Sequence, residues 1–137
     1  MQLTTDQLIT LFQPLTNWQD RYRQIILLAK ALPPFPRELC TENNQIDGCE
    51  NRVWLSCQLQ SEQTLTFMGD SEGRIVKGLM AILFILANHK TAQHIIDTDF
   101  LGFLQQLNVI NELSQSRQLG INNIIERMKQ LAAHNIG

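Results

Sequence analysis

Residues 78–87 read GLMAILFILA, a run that is apolar on every side of any helix it forms. It is about half of the ~20 residues needed to cross a bilayer, so it is a core segment rather than a membrane span. A helix without a polar face must be covered on more than one side and belongs in the middle of a domain. The period of the flanking residues extends this helix from about Glu72 to Asn88, with Asp70 or Ser71 near its N-cap. The rest of the chain has to supply the cover.

Part of that cover alternates with period two. Val53, Leu55, Cys57 and Leu59 take turns with Trp54, Ser56, Gln58 and Gln60, the pattern of a strand with one buried face. TLTFM at 64–68 is a second strand, and QSEQ between them suits a hairpin connection. Other parts follow helical spacing. Thr4 and Gln7 form a capping-box pair ahead of a short helix stopped at Pro14. Asn17 caps a second helix, in which Trp18, Tyr22, Ile25, Ile26 and Ala29 recur at three- and four-residue steps until PPFP at 33–36 ends it. Beyond the apolar run, Thr91, Asp99 and Ser116 are candidate caps for two short helices and a longer one through INNIIERMKQLAAHN. The expected fold class is α+β, a small antiparallel sheet of about three strands packed with helices in one domain spanning 1–137.

With 44% hydrophobic and 18% charged residues, the 137-residue chain is ordinary for a globular protein. A net charge of −2 and the lack of a basic stripe with interleaved aromatics argue against a nucleic-acid partner. The start, MQLTTDQLIT, lacks the charged head and apolar stretch of a secretory signal, so the expected location is cytoplasmic, with no membrane association. Three cysteines without an export signal do not make a disulfide framework, which leaves free thiols.

Chemistry then turns on those thiols. Cys40, Cys49 and Cys57 are nine and eight residues apart, and His89, His94 and His134 fall on helices elsewhere, so no metal-ligand spacing is present. GDSEGRIVKG matches neither phosphate-binding fingerprint and reads as a strand-to-helix turn. Cys57 shares the buried strand face with Leu55 and behaves there as a small hydrophobe, while Cys40 has no activating neighbour. Cys49 differs, because it follows Gly48 on the long polar segment 37–50, expected to run over the surface, where a thiol can be presented to another molecule. Its charged neighbours conflict: Asp47 and Glu50 raise the pKa of a nearby thiol, and Arg52 lowers it. A strand rises about 3.3 Å per residue and disulfide Cα atoms lie within about 7 Å, so an extended path from 49 to 57 excludes a bridge between them. A histidine base acting on Cys49 stays open on the residues alone.

Three blocks, IDGCENRVWL, GDSEGRIVKGLMAIL and SQSRQLGINNI, together with RYRQIILLAKALPPFP, resemble the SufE family of sulfur acceptor proteins, most of all its CsdE branch, over about residues 17 to 133. The resemblance implies an α+β fold like that of the iron–sulfur scaffold IscU. It also implies a protein that takes sulfane sulfur from a cysteine desulfurase of the SufS or CsdA kind, stimulates it, and passes the sulfur to an acceptor such as an iron–sulfur scaffold. Cys49 aligns with the sulfur-accepting cysteine of the family. Gly48 is then a plausible hinge, Glu50 and Arg52 flank the acceptor where a desulfurase would touch, and Arg117 of SRQLG, which matches a family arginine, is a candidate for positioning the loop or binding the partner. The alternative for Arg117 is a helix-start arginine pairing locally. No bound cofactor is implied, since pyridoxal phosphate belongs to the desulfurase, and no metal. An iron–sulfur or metal scaffold and a purely allosteric desulfurase-binding module are the competing functions.

Overall fold

β1 (Val53–Leu59) and β2 (Thr64–Ser71) pair antiparallel in one unbroken register, from Val53 opposite Ser71 to Leu59 opposite Leu65. The computed structural model describes residues 3–48 and 51–136. A two-residue β3 (Lys90–Thr91) pairs with the start of β2, giving the sheet order β1-β2-β3. Along β2 every second residue is buried, so Leu65, Phe67, Gly69 and Ser71 face inward. The expected small antiparallel sheet packed with helices is thus present.

The apolar run forms α3 (Arg74–Ala87), which lies against the inner sheet face, with the Phe67 and Phe84 rings stacked at 6.2 Å. Eleven of its 14 residues are buried, as a helix without a polar face requires. α2 (Trp18–Ala29) and α6 (Gln115–Ala133) both pack on α3, with α1 (Thr5–Phe12) also touching it. α4 (Ala92–Asp97) packs on α6, and α5 (Phe100–Gln106) follows it. Among the described residues no helix is long and apolar enough to cross a membrane.

The local caps form as their sequences dictate. Thr4 and Gln7 bond reciprocally, Asn17 accepts the Asp20 amide at 2.9 Å, and Thr91 and Asp99 cap α4 and α5. The last cap is Ser114 rather than Ser116, and its hydroxyl accepts the Arg117 amide at 3.3 Å.

Three other expectations are corrected. Asp70 and Ser71 belong to β2, and α3 starts after Gly73 without a side-chain cap. Cross-strand pairing with Trp54 and Val53 outweighs the capping preference, and Asp70 instead meets Lys77 at 3.2 Å while the Ser71 hydroxyl accepts the Gly73 amide at 3.1 Å. Burial along β1 fades past the helix cover: Val53 and Leu55 are buried, Cys57 is half-buried and Leu59 is 57% exposed. Finally, the polar 37–50 segment does not run only over the surface. The Ile46 amide donates to the Val53 carbonyl and the Leu55 amide to the Asn44 carbonyl, both at 2.8 Å, and Ile46 is 5% exposed. One apolar side chain and two backbone bonds therefore lay the segment beside β1.

Candidate functional site

Residues 47–52 connect Ile46 to Val53, the last backbone-bonded pair beside β1. Cys49 and Glu50, within this connection, lie outside the described residues. Both arms leading to them are described, and each is held by a different part of the fold.

The upstream arm is tied to α6. The Asn123 side-chain amide donates to the Asp47 carbonyl at 3.3 Å, and the Arg127 guanidinium donates to the Asn43 carbonyl at 2.8 Å. Four residues apart, these side chains project from one helix face. Gly48 has φ +83°, in the left-handed region where a Cβ is disfavoured, and a Cβ there would stand 2.8 Å from the Asn123 amide nitrogen. The Gly48 conformation suits a residue at which the chain turns sharply.

The downstream arm is clamped to the β2–α3 turn. The Arg52 amide and Nε each donate to the Glu72 carboxylate at 3.0 Å, a third contact brings the guanidinium to 2.8 Å, and the Glu72 amide donates to the Arg52 carbonyl at 3.1 Å. The guanidinium also lies over the Trp54 ring, 5.7 Å from its centre. The side-chain bond to Glu72 raises the Arg52 pKa, and the same bond holds the Glu72 carboxyl below its ordinary 4.5. The positive charge that sequence places beside Cys49 is therefore already met by a carboxylate.

A depressed carboxyl pKa contributes stability that is complete above its unfolded value and is lost as pH falls through the folded one. Chemical denaturation of wild type and Glu72→Gln should accordingly show a constant difference above about pH 4.5 that closes as the pH is lowered further. A difference that grew on acidification would show that the carboxylate is not stabilising this arm.

Arg117 stands in the first turn of α6, half-buried, with no ion pair among the described residues. With Tyr22, Asn51, Gly73, Arg74, Ile75 and Val76 it lines a cavity of about 150 Å³. Arg117 thus comes beside Asn51, two residues past Cys49, even though 66 positions separate them in sequence. Gly48, Arg52 and Arg117 gather at one end of the sheet. Glu72, Asn123 and Arg127 join them there, and the sequence singles out none of these three.

Residues 6–132 match the family described as "SufE: Fe-S metabolism associated domain". The chain belongs to the SufE family. Among relatives of this SufE-family chain, the sulfur acceptor protein CsdE of Escherichia coli (strain K12) is 43% identical over 124 residues, covering 90% of this chain and 84% of that protein. An uncharacterized SufE-like protein of Rhizobium meliloti (strain 1021) is 37% identical over 130 residues, or 93% of each chain. The solution structure of a hypothetical protein from Thermus thermophilus matches with a TM-score of 0.78, covering 96% of this chain and 95% of that one. At 14% identity that likeness concerns the fold alone. The family and the CsdE branch read from the sequence blocks are both borne out.

The other thiols of this SufE-family chain sit in different surroundings. Cys57 is half-buried on β1, and desolvation pushes its pKa up to about 11. At pH 8 roughly one Cys57 in a thousand is then a thiolate, against about a quarter of an unperturbed cysteine. Alkylation with iodoacetamide at pH 8, followed by peptide mapping, should leave Cys57 lagging a free cysteine by about two hundredfold. Equal labelling rates would mean that β1 leaves the sulfur in water. Cys40 is also half-buried. Among the described residues no three His, Cys, Asp or Glu side chains come together as metal ligands.

Proposed function

We propose that this SufE-family protein is a sulfur acceptor and carrier. Cys49 takes sulfane sulfur from a pyridoxal-phosphate cysteine desulfurase, relieves that enzyme of its persulfide and so stimulates it, and hands the sulfur to an acceptor such as an iron–sulfur scaffold. The observation that carries this proposal is 43% identity across 90% of the chain to a protein named a sulfur acceptor. The family description, which refers to iron–sulfur metabolism, supports the destination. The protein acts as one domain in the cytoplasm, with no cofactor of its own.

The step is thiol–disulfide exchange. The Cys49 thiol gives up its proton, and the thiolate attacks the outer sulfur of the desulfurase persulfide. The old S–S bond breaks as the new one forms, and the desulfurase cysteine leaves as a thiolate that is reprotonated. Cys49 ends as the persulfide, and no net oxidation occurs. Such exchange depends on the attacking thiolate, the leaving thiol and access between them. The two anchored arms support the reading, because Asp47 and Arg52, on either side of Cys49 in the chain, are each tied to the fold. Gly48 supplies the bend, Glu50 meets the partner, and Arg52, paired with Glu72, sets where the downstream arm begins. Arg117 positions this segment from the cavity it shares with Asn51.

The test is to incubate the protein with a cysteine desulfurase and cysteine, then measure its intact mass and map the peptides. A gain of one sulfur atom on Cys49 is the expected result. Desulfurase stimulation without that gain would replace the carrier with an allosteric module.

A further inference from the structure

Trp18, Tyr22 and Ile26 recur at four-residue steps and form one stripe along α2. All three are only half-buried, and the rings of Trp18 and Tyr22 meet edge to face at 6.0 Å and 72°. With Gln19 and Arg23 they line an open hollow. Tyr22 is also a wall of the 150 Å³ cavity that holds Asn51, Arg74 and Arg117. The two hollows therefore adjoin through one ring, and the second reaches Asn51, two residues from Cys49.

The charges around this surface are unevenly satisfied. Arg23 pairs with Asp20 and Arg52 with Glu72, whereas Arg74 and Arg117 have no ion pair among the described residues. α3 begins beside them at Gly73 without a side-chain cap, so its first-turn amides add positive potential. We infer that the Trp18–Tyr22–Ile26 stripe, continued by Arg74 and Arg117, is the surface on which the cysteine desulfurase docks, receiving from it an apolar side chain against the two rings and a carboxylate between the two guanidiniums.

This inference rests on the sulfur-acceptor reading, because exchange at Cys49 forces a partner to cover the surface around residues 47–52. The upstream flank is occupied internally, with Asn123 on Asp47 and Arg127 on Asn43. On the downstream side Glu72 already satisfies Arg52. The Asn51 flank combines half-buried aromatic rings with two arginines that have no ion pair among the described residues. Trp, Tyr and Arg are also the residue types that dominate interface energetics when buried by a partner.

The experiment is calorimetric titration of the full chain with a desulfurase that loads sulfur onto the wild type. Trp18→Ala and Tyr22→Ala are each expected to raise Kd by about 30-fold, the equivalent of a ~2 kcal/mol hot spot. Arg74→Glu, at the exposed start of α3, is expected to raise it by about tenfold or more, with the loss shrinking as salt is added. Leu59→Gln serves as the control, since Leu59 lies at the far end of β1, about 20 Å of strand rise from Val53, and should leave Kd unchanged. If Tyr22→Ala and Arg74→Glu bind like wild type while Cys49 still gains sulfur, the docking surface is overturned and the sulfur-acceptor reading stands. If wild type gains no sulfur from any desulfurase, that reading falls and takes the docking surface with it.

Discussion

Cys49→Ser is expected to abolish sulfur uptake and, with it, all desulfurase stimulation that proceeds by transfer. A thiolate attacks the outer sulfur of a persulfide, whereas a serine hydroxyl supplies no comparable anion at neutral pH. The substitution exchanges one atom, and the ties on either side of the connection, Asn123 to Asp47 and Arg52 to Glu72, do not involve the sulfur. Thermal unfolding should therefore move by less than about 0.5 kcal/mol. Cys57→Ser is the contrasting case, expected to keep full transfer because its thiol is raised to about 11 on a strand facing the core. Stimulation is measured as alanine or sulfide release by the desulfurase, and uptake by mass. A Cys49→Ser protein that stimulated as well as wild type would end the covalent mechanism, whatever its affinity for the enzyme.

How much of the fold could be read from the chain follows the range of the forces involved. The caps at Thr4, Asn17, Thr91 and Asp99 are set by contacts three residues long, so local sequence declares them. The alternation of β1 and the unbroken apolar run of α3 declare burial just as directly. β3 carries no such signal, because Lys90 and Thr91 are both exposed. It is positioned by His89, whose φ of +67° lets its amide reach the Leu65 carbonyl at 2.8 Å. The end of β2 misleads for a related reason. Gly69, Asp70 and Ser71 have the residue types of a turn and a cap, and only pairing with β1 shows that they continue the strand.

The site divides along the same line. Cys49 and Gly48 stand out because a glycine before a thiol on a polar segment is a local pattern, and the family blocks on both sides reinforce it. The residues that hold the segment do not stand out, since Glu72, Asn123 and Arg127 act across 20, 76 and 84 positions. Nothing in INNII announces that its second asparagine bonds to residue 47. Arg117 is visible only through its family motif. Its neighbour Arg74, on the same cavity, reads as the opening of a helix and nothing more.

Gly78→Ala is expected to cost substantial stability. α2 crosses α3 where Gly78 faces Ile25, and a Cβ there would run into the Ile25 carbonyl oxygen, with Ile25 Cγ2 at 2.5 Å and its carbonyl carbon at 2.8 Å. A backbone carbonyl inside a helix cannot swing aside as a side chain can, so the two helices must separate. Alanine gains about 1 kcal/mol over glycine in helix propensity, yet overpacking a core costs about 1–3 kcal/mol and sometimes more. Here the obstacle is backbone, and a net loss of about 3 kcal/mol is expected, or roughly 10 °C in Tm for a chain of this size. Because α2 carries Trp18 and Tyr22 while α3 carries Arg74, the same separation should also shift the two halves of the inferred docking surface against each other. Gly78→Ala should then weaken desulfurase binding at temperatures where the protein is still fully folded. A higher Tm would mean that propensity outweighs the clash, and that the helices do not approach this closely in solution.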